Sequence, residues 1–284
     1  RQYTIFTTPF GTYQFNRVPF GLRNAPSFFQ RTMARSILQE LIGSCCECYI
    51  DDIVIYGADQ QEFEANLDKV LQRLEEKRII IKPSKCRLGL PAIEYVGLRV
   101  DGQTVAVTEE RKEVIAAIKQ PETVTQLRSF LGLINYVRDF IPNFADHAAP
   151  LYELLKGKTK KSERIEWSGN ASSEFTKLKE LAAESQALWH LQTEEDGGAA
   201  YPITVMTDAS DVAVGGVILQ NIQGVEKPVC FISKKLSPAQ RNYHTSDKEM
   251  FGMFYTIKTS HTLLAGRRFT VLTDHRALLS SKMS

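Results

Sequence analysis

Two apolar runs meet at Asp51-Asp52, directly behind Tyr49-Ile50. Short apolar runs bounded by a polar pair read as strand, tight turn, strand. That arrangement delivers two carboxylates to a hairpin tip beside an aromatic ring. Like charges so close raise each other's proton affinity unless a cation intervenes. Hard oxygen donors on such a tip suit Mg²⁺, and two such ions about 4 Å apart clamp the attacking and leaving oxygens of a phosphoryl transfer. Adjacent aspartates are also common in ordinary turns, so the pair needs its surroundings to acquire meaning.

The chain has 284 residues, 43% hydrophobic and 24% charged, enough for more than one packed domain. Its net charge of +2 neither demands nor excludes a polyanionic partner, so nucleic-acid binding has to rest on local patches. No run of about eighteen apolar residues and no signal-peptide pattern appears. Three of the five cysteines, Cys45, Cys46 and Cys48, crowd one strand. No His or Cys follows at zinc spacing, so they read as reduced, structural thiols.

Three blocks emerge: residues 1–104, 105–164 and 165–284. In the first, Tyr3 to Thr7 and Thr12 to Phe15 flank a turn at Phe10-Gly11, and a helix runs from Ala25-Pro26 towards Leu41. Phe63, Leu67, Val70, Leu71 and Leu74 mark an amphipathic helix. Asp101-Gly102 between apolar runs signals a hairpin. The second block is helical, with Thr108 as an N-cap and an apolar stripe from Leu127 to Phe140 that Pro142 stops. In the third, a helix over 173–187 precedes strands at 203–207, 213–219, 229–233 and 269–273, with a helix before the last that Gly266 closes.

Around the aspartates the wording becomes specific. Tyr49-Ile50-Asp51-Asp52 with apolar flanks resembles the polymerase signature of reverse transcriptases. Upstream, Asn16 to Gln30, containing Pro19-Phe20-Gly21-Leu22 and Asn24-Ala25-Pro26, resembles that family's template- and nucleotide-binding motif in its gypsy-type LTR retrotransposon form. Glu94 to Leu98 resembles the hairpin that grips the primer end, and Thr125 to Tyr136 the thumb helix along the product duplex. The resemblance implies nucleic-acid or nucleotide contacts by Tyr49, Phe20, Gly21, Gln30, Gly97, Arg128, Gly132 and Tyr136. In the third block Asp208, Glu249 and Asp274, ordered strand end, helix, strand end, resemble the carboxylates of the ribonuclease H fold, with Ser210 beside them as a substrate contact.

The resemblance therefore implies an α+β chain: a partial right-hand polymerase palm and fingers (1–104), thumb and connection helices (105–164), then a partial ribonuclease H-like mixed α/β domain (165–284). It implies RNA-directed DNA polymerase and ribonuclease H chemistry on an RNA template, DNA primer, RNA/DNA hybrid and dNTPs. Two Mg²⁺ per active site, with Mn²⁺ as an alternative, would be held by Asp51 and Asp52 and by Asp208, Glu249 and Asp274. No membrane partner is expected, the oligomeric state is open, and the expected location is intracellular, in a cytoplasmic particle or the nucleus. The family's first polymerase aspartate lies upstream of Arg1 and its fourth ribonuclease H acid beyond Ser284, so a piece truncated at both ends, inactive alone, is the expectation. A decayed or domesticated element that binds nucleic acid without catalysis is the alternative; the intact acids argue against it.

Overall fold

The computed structural model describes residues 4–158, 160–192 and 201–273. The chain divides into two compact units, Arg1–Leu90 and Pro91–Ser284.

In the first unit, β1 (Ile5–Thr8) and β2 (Gly11–Gln14) form an antiparallel hairpin in which Phe6 stacks on Tyr13. Helix α1 (Ala25–Thr32) starts with Pro26 in its first turn and passes into a π-helical turn, Met33–Ile37. It ends there rather than continuing to Leu41, because Leu38 leaves helical geometry and residues 39–41 form a turn. The strand pair β3 (Cys46–Tyr49) and β4 (Asp52–Ile55) follows, then α2 (Gln60–Glu76), capped by the Asp59 carboxylate at the Glu62 amide. Met33, Ile37, Leu38, Val70 and Leu74 bury Cys45, Cys46 and Cys48 among them. All three cysteines are free, and burial beside Cys45 pushes the Cys46 thiol up to about 12. A thiol that costly to ionise behaves as a small hydrophobe.

The second unit opens with β5 (Ala92–Tyr95), β6 (Leu98–Asp101) and β7 (Thr104–Val107). The expected Asp-Gly hairpin forms, but Gly102 is not what shapes it. Asp101 accepts from the amides of Gln103 and Thr104, and these bonds hold its carboxyl below the usual range. Helices α3 (Glu109–Ala117) and α4 (Val124–Tyr136) follow, the latter with a reciprocal capping box between Thr123 and Gln126. Beyond Pro142, α5 (Phe144–Glu153) restarts from Asn143, whose φ of 50° is left-handed. Helix α6 (Gly169–Ala183) and the short β8 (Leu188–Trp189) complete this part. Strand β8 pairs with β7, and Phe175, Leu178 and Ala182 of α6 share one core with Leu127, Phe130 and Ile134 of α4. Residues 169–189, expected to open the third block, therefore pack with the second.

A second four-stranded sheet follows: β9 (Ile203–Ala209), β10 (Ala213–Ile222), β11 (Val225–Lys235) and β12 (Phe269–Leu272), ordered β11-β10-β9-β12. Strands β9 to β11 are antiparallel, and β12 runs parallel to β9. Short α7 (Pro238–Arg241), long α8 (Thr245–Thr259) and α9 (His261–Leu264) lie between β11 and β12, and Gly266 takes the positive φ expected of a cap. Glycines of β10 admit neighbours on both faces of this sheet. A Cβ on Gly216 would overlap the Thr256 side chain of α8, and one on Gly215 would overlap the Asn143 amide oxygen. Adjacent strand residues face opposite sides, so the two contacts lie on opposite faces. Protein groups thus occupy the approaches to both glycines.

Candidate active sites

The first site is the β3–β4 tip. Tyr49 pairs with Asp52, which leaves Ile50-Asp51 as a two-residue turn. Ile50 has φ 55°, a conformation that costs a β-branched residue on the order of 1–3 kcal/mol. Its support comes from α1. The Gln30 side chain donates to the Cys48 carbonyl at 2.9 Å and accepts from the Ile50 amide. One side-chain amide thus clamps the backbone on both sides of Tyr49. Asp51 and Asp52 are exposed, and no ion pair joins either to a described residue. The Cys48 thiol is pushed up by burial first, then by the field of Asp52, Glu47 and Asp51. This tip is a concentration of negative charge with open oxygen donors, chemistry that fits a hard divalent cation. Among the described residues no three His, Cys, Asp or Glu side chains form a group that could hold a metal ion.

Phe20 is fully exposed, and Gly21 beside it has φ 86° with open space where a Cβ would stand. Both belong to a loop that presents ring and backbone outward. Tyr49 is half exposed.

The expected duplex track divides. Arg128 and Gly132 line a groove of about 230 Å³ with Asn135 and Tyr152. Arg128 also donates to the Lys158 carbonyl at 3.2 Å. Tyr136 does not face that groove: its hydroxyl donates to the Val96 carbonyl, and Arg111 stacks on its ring at 4.4 Å. The same guanidinium presses against Gly97, where φ is 76° and a Cβ would overlap it. Tyr136 and Arg111 thus brace the β5–β6 turn. Arg111 carries no sequence motif and was not singled out by sequence reasoning.

At the second site, Asp208 is exposed near the end of β9 and pairs across to Gly215. Glu249 is buried, on the same stripe of α8 as Gly252 and Thr256. Gly252 lies against Val214 and the Asp208 carbonyl, so the stripe faces β9 and β10. Glu249, one turn earlier, is therefore carried to the end of β9 where Asp208 stands. Asp274 lies outside the described residues. The Ser210 hydroxyl accepts from the amides of Val212 and Ala213, so it shapes the β9–β10 turn.

A strand hairpin bearing paired aspartates, followed by helices and a β11-β10-β9-β12 sheet with acids at a strand end and on a helix, is the layout of a polymerase joined to a nuclease-type domain. Residues 1–100 match the family of reverse transcriptases (RNA-dependent DNA polymerases), and residues 199–284 match the RNase H-like domain found in reverse transcriptase. The two matched segments are thus similar to a reverse transcriptase followed by its RNase H-like domain. The curated relatives to which the chain is similar include gypsy-type retrotransposon Pol polyproteins. It is 33% identical over 97% of its length to the retrovirus-related Pol polyprotein from transposon opus of Drosophila melanogaster, covering 28% of that protein. It is 30% identical over 98% of its length to the Pol polyprotein from transposon gypsy of the same organism, covering 27%. The transposon Tf2-3 polyprotein of Schizosaccharomyces pombe is 32% identical over 96% of the chain, which covers 20% of it. The chain thus spans about a quarter of these relatives' length. In fold it resembles the foamy viral protease-reverse transcriptase dRH in complex with double-stranded DNA, at a TM-score of 0.74 over 99% of this chain and 48% of that one. The foamy viral enzyme in complex with an RNA/DNA hybrid gives 0.70 over 97% and 36%; both are 24% identical. No helix among the described residues is long and apolar enough to cross a membrane.

Proposed function

We propose that this chain supplies the nucleotide-joining and RNA-cleaving acids of a longer retrotransposon polyprotein that copies RNA into DNA. The observation that carries the reading is the β3–β4 tip, where Gln30 holds a strained turn on which Asp51 and Asp52 stand exposed. Asp51 and Asp52 would hold Mg²⁺ or Mn²⁺, with the open carboxylate oxygens of the tip as donors. Bound there, two ions would neutralise phosphate charge and polarise the primer 3′ hydroxyl. Tyr49, Phe20 and Gly21 line the place of the incoming dNTP, and the Val96-Gly97 turn meets the primer. Arg128 and Gly132 face the template–primer duplex through their groove. Asp208 and Glu249, with Asp274, would hold the divalent ions of the nuclease site, which would activate water against the RNA strand of the hybrid.

Mn²⁺ titration of the chain in the presence of an RNA/DNA template-primer tests this, alongside RNA-templated extension by the full polyprotein. The Asp51→Asn/Asp52→Asn pair should abolish extension and remove the polymerase-site Mn²⁺. Asp208→Asn and Glu249→Gln should remove the nuclease-site Mn²⁺ and hybrid cleavage while sparing extension. Unchanged metal binding and extension in the paired variant would defeat the reading.

A further inference from the structure

We propose that Asp146, on helix α5 of the helical part, is a positioning residue of the nuclease-type site, acting through Ser210 on the loop that follows Asp208. The inference rests on the reading of Asp208 and Glu249 as that site's acids.

Ser210 Oγ lies 2.5 Å from Asp146 Oδ1 and 3.1 Å from the Ala213 carbonyl. A hydroxyl has one proton, and the nearer, charged acceptor takes it. Its lone pairs meanwhile accept from Val212 at 3.1 Å and Ala213 at 2.9 Å. Asp146 therefore orients the one oxygen that organises the turn after β9. On the other side of this turn, the buried Lys248 of α8 donates to Asp211 at 2.6 Å, immediately before Glu249 in sequence. The Asp208–Asp211 segment is thus held from two helices at once, one of them carrying the second acid.

Helix α5 is itself fastened to the sheet. The Ala145 amide donates to Ser233 Oγ at 3.1 Å, and Lys235 pairs with Glu153 at 2.7 Å. Arg138, just before the helix, donates to the Ser233 carbonyl at 2.6 Å. Asn143 rests on Gly215, the cross-strand partner of Asp208. Cross-strand partners project to the same face, so α5 is anchored on the face from which Asp208 projects. Loss of a group that orients a ligand-bearing loop characteristically weakens metal affinity by about 10- to 100-fold.

The test uses the full chain in an Asp51→Asn/Asp52→Asn background, so that added Mn²⁺ reports the nuclease acids. Asp146→Ala should raise the Mn²⁺ needed for half-saturation about tenfold. It should also speed hydrogen exchange at the Val212 and Ala213 amides, while RNA/DNA hybrid affinity measured in EDTA changes less than about twofold. Asp146→Asn, which keeps an acceptor, should restore both. Asp208→Asn is the reference. If it leaves Mn²⁺ binding unchanged, the nuclease reading itself fails; if it weakens binding and Asp146→Ala does not, only the positioning role is overturned. Should Asp146→Ala fail to fold, Ser210→Ala removes the same bond, and unchanged exchange and Mn²⁺ binding in that variant overturn the role.

Discussion

At the scale of residues, the polymerase tip shows how local and distant chemistry divide the work. Tyr49, Asp51 and Asp52 could be read directly because strand, turn and acids are contiguous. The support from Gln30 could not, since its partners Cys48 and Ile50 lie 18 and 20 positions away. In our reading Gln30 serves the tip's backbone, whereas the motif suggested a nucleotide contact. Gln30→Ala leaves two half-buried backbone groups unmet and should lower the unfolding free energy by about 1–3 kcal/mol, measured in urea. Cys46 makes a second prediction. Its folded value, about 12, exceeds its ordinary 9.0, so the unfolded state loses the proton first as pH rises. Its contribution is complete below pH 9 and is lost between about 9 and 12. Alkaline unfolding of Cys46→Ala should be less steep with pH than that of the parent across this window. An equal slope would count against the assignment.

At the scale of elements, packing decided what periodicity had left open. The stripe along α4 was legible because Leu127, Phe130, Leu131 and Ile134 recur at helical spacing and are all buried. Its partner was not: Phe175 of α6 meets Phe130 at 4.7 Å between ring centroids and Trp167 at 5.6 Å. Phe175→Ala should cost about 3–5 kcal/mol, read from the midpoint shift in urea, through lost burial and a cavity. Helix α5 escaped notice because Pro142 ends one pattern and Pro150 interrupts the next, although the fold tolerates Pro150. Gly216→Ala tests the sheet–helix contact. The added methyl overlaps Thr256 in a closely packed layer, and a loss of about 1–3 kcal/mol is expected. Gly216→Ala with Thr256→Ser should recover part of it, since the serine lacks the γ-methyl group.

At the scale of the whole molecule, the second unit joins the thumb-like helices and the nuclease-like sheet into one compact body. Phe231 of β11 packs against the same core as Leu127 and Leu178. A polypeptide of residues 91–284 should therefore unfold cooperatively. One of residues 165–284 exposes Phe175, Leu178 and Leu188 and should lose that cooperativity, followed by near-ultraviolet circular dichroism in urea. The sequence by itself determined where the acids fall along the chain, paired on a hairpin, near a strand end and on a helix, and the apolar periods that bury the elements around them. Each mark is short-range, written within one turn, strand or helix. Only the tertiary structure decided what braces each loop: Gln30 under the β3–β4 tip, Arg111 and Tyr136 behind the Val96-Gly97 turn, and Asp146 against Ser210. The partners in each of these contacts stand from fourteen to sixty-four positions apart, a separation that no local spacing encodes and only chain folding brings to hydrogen-bond or van der Waals distance.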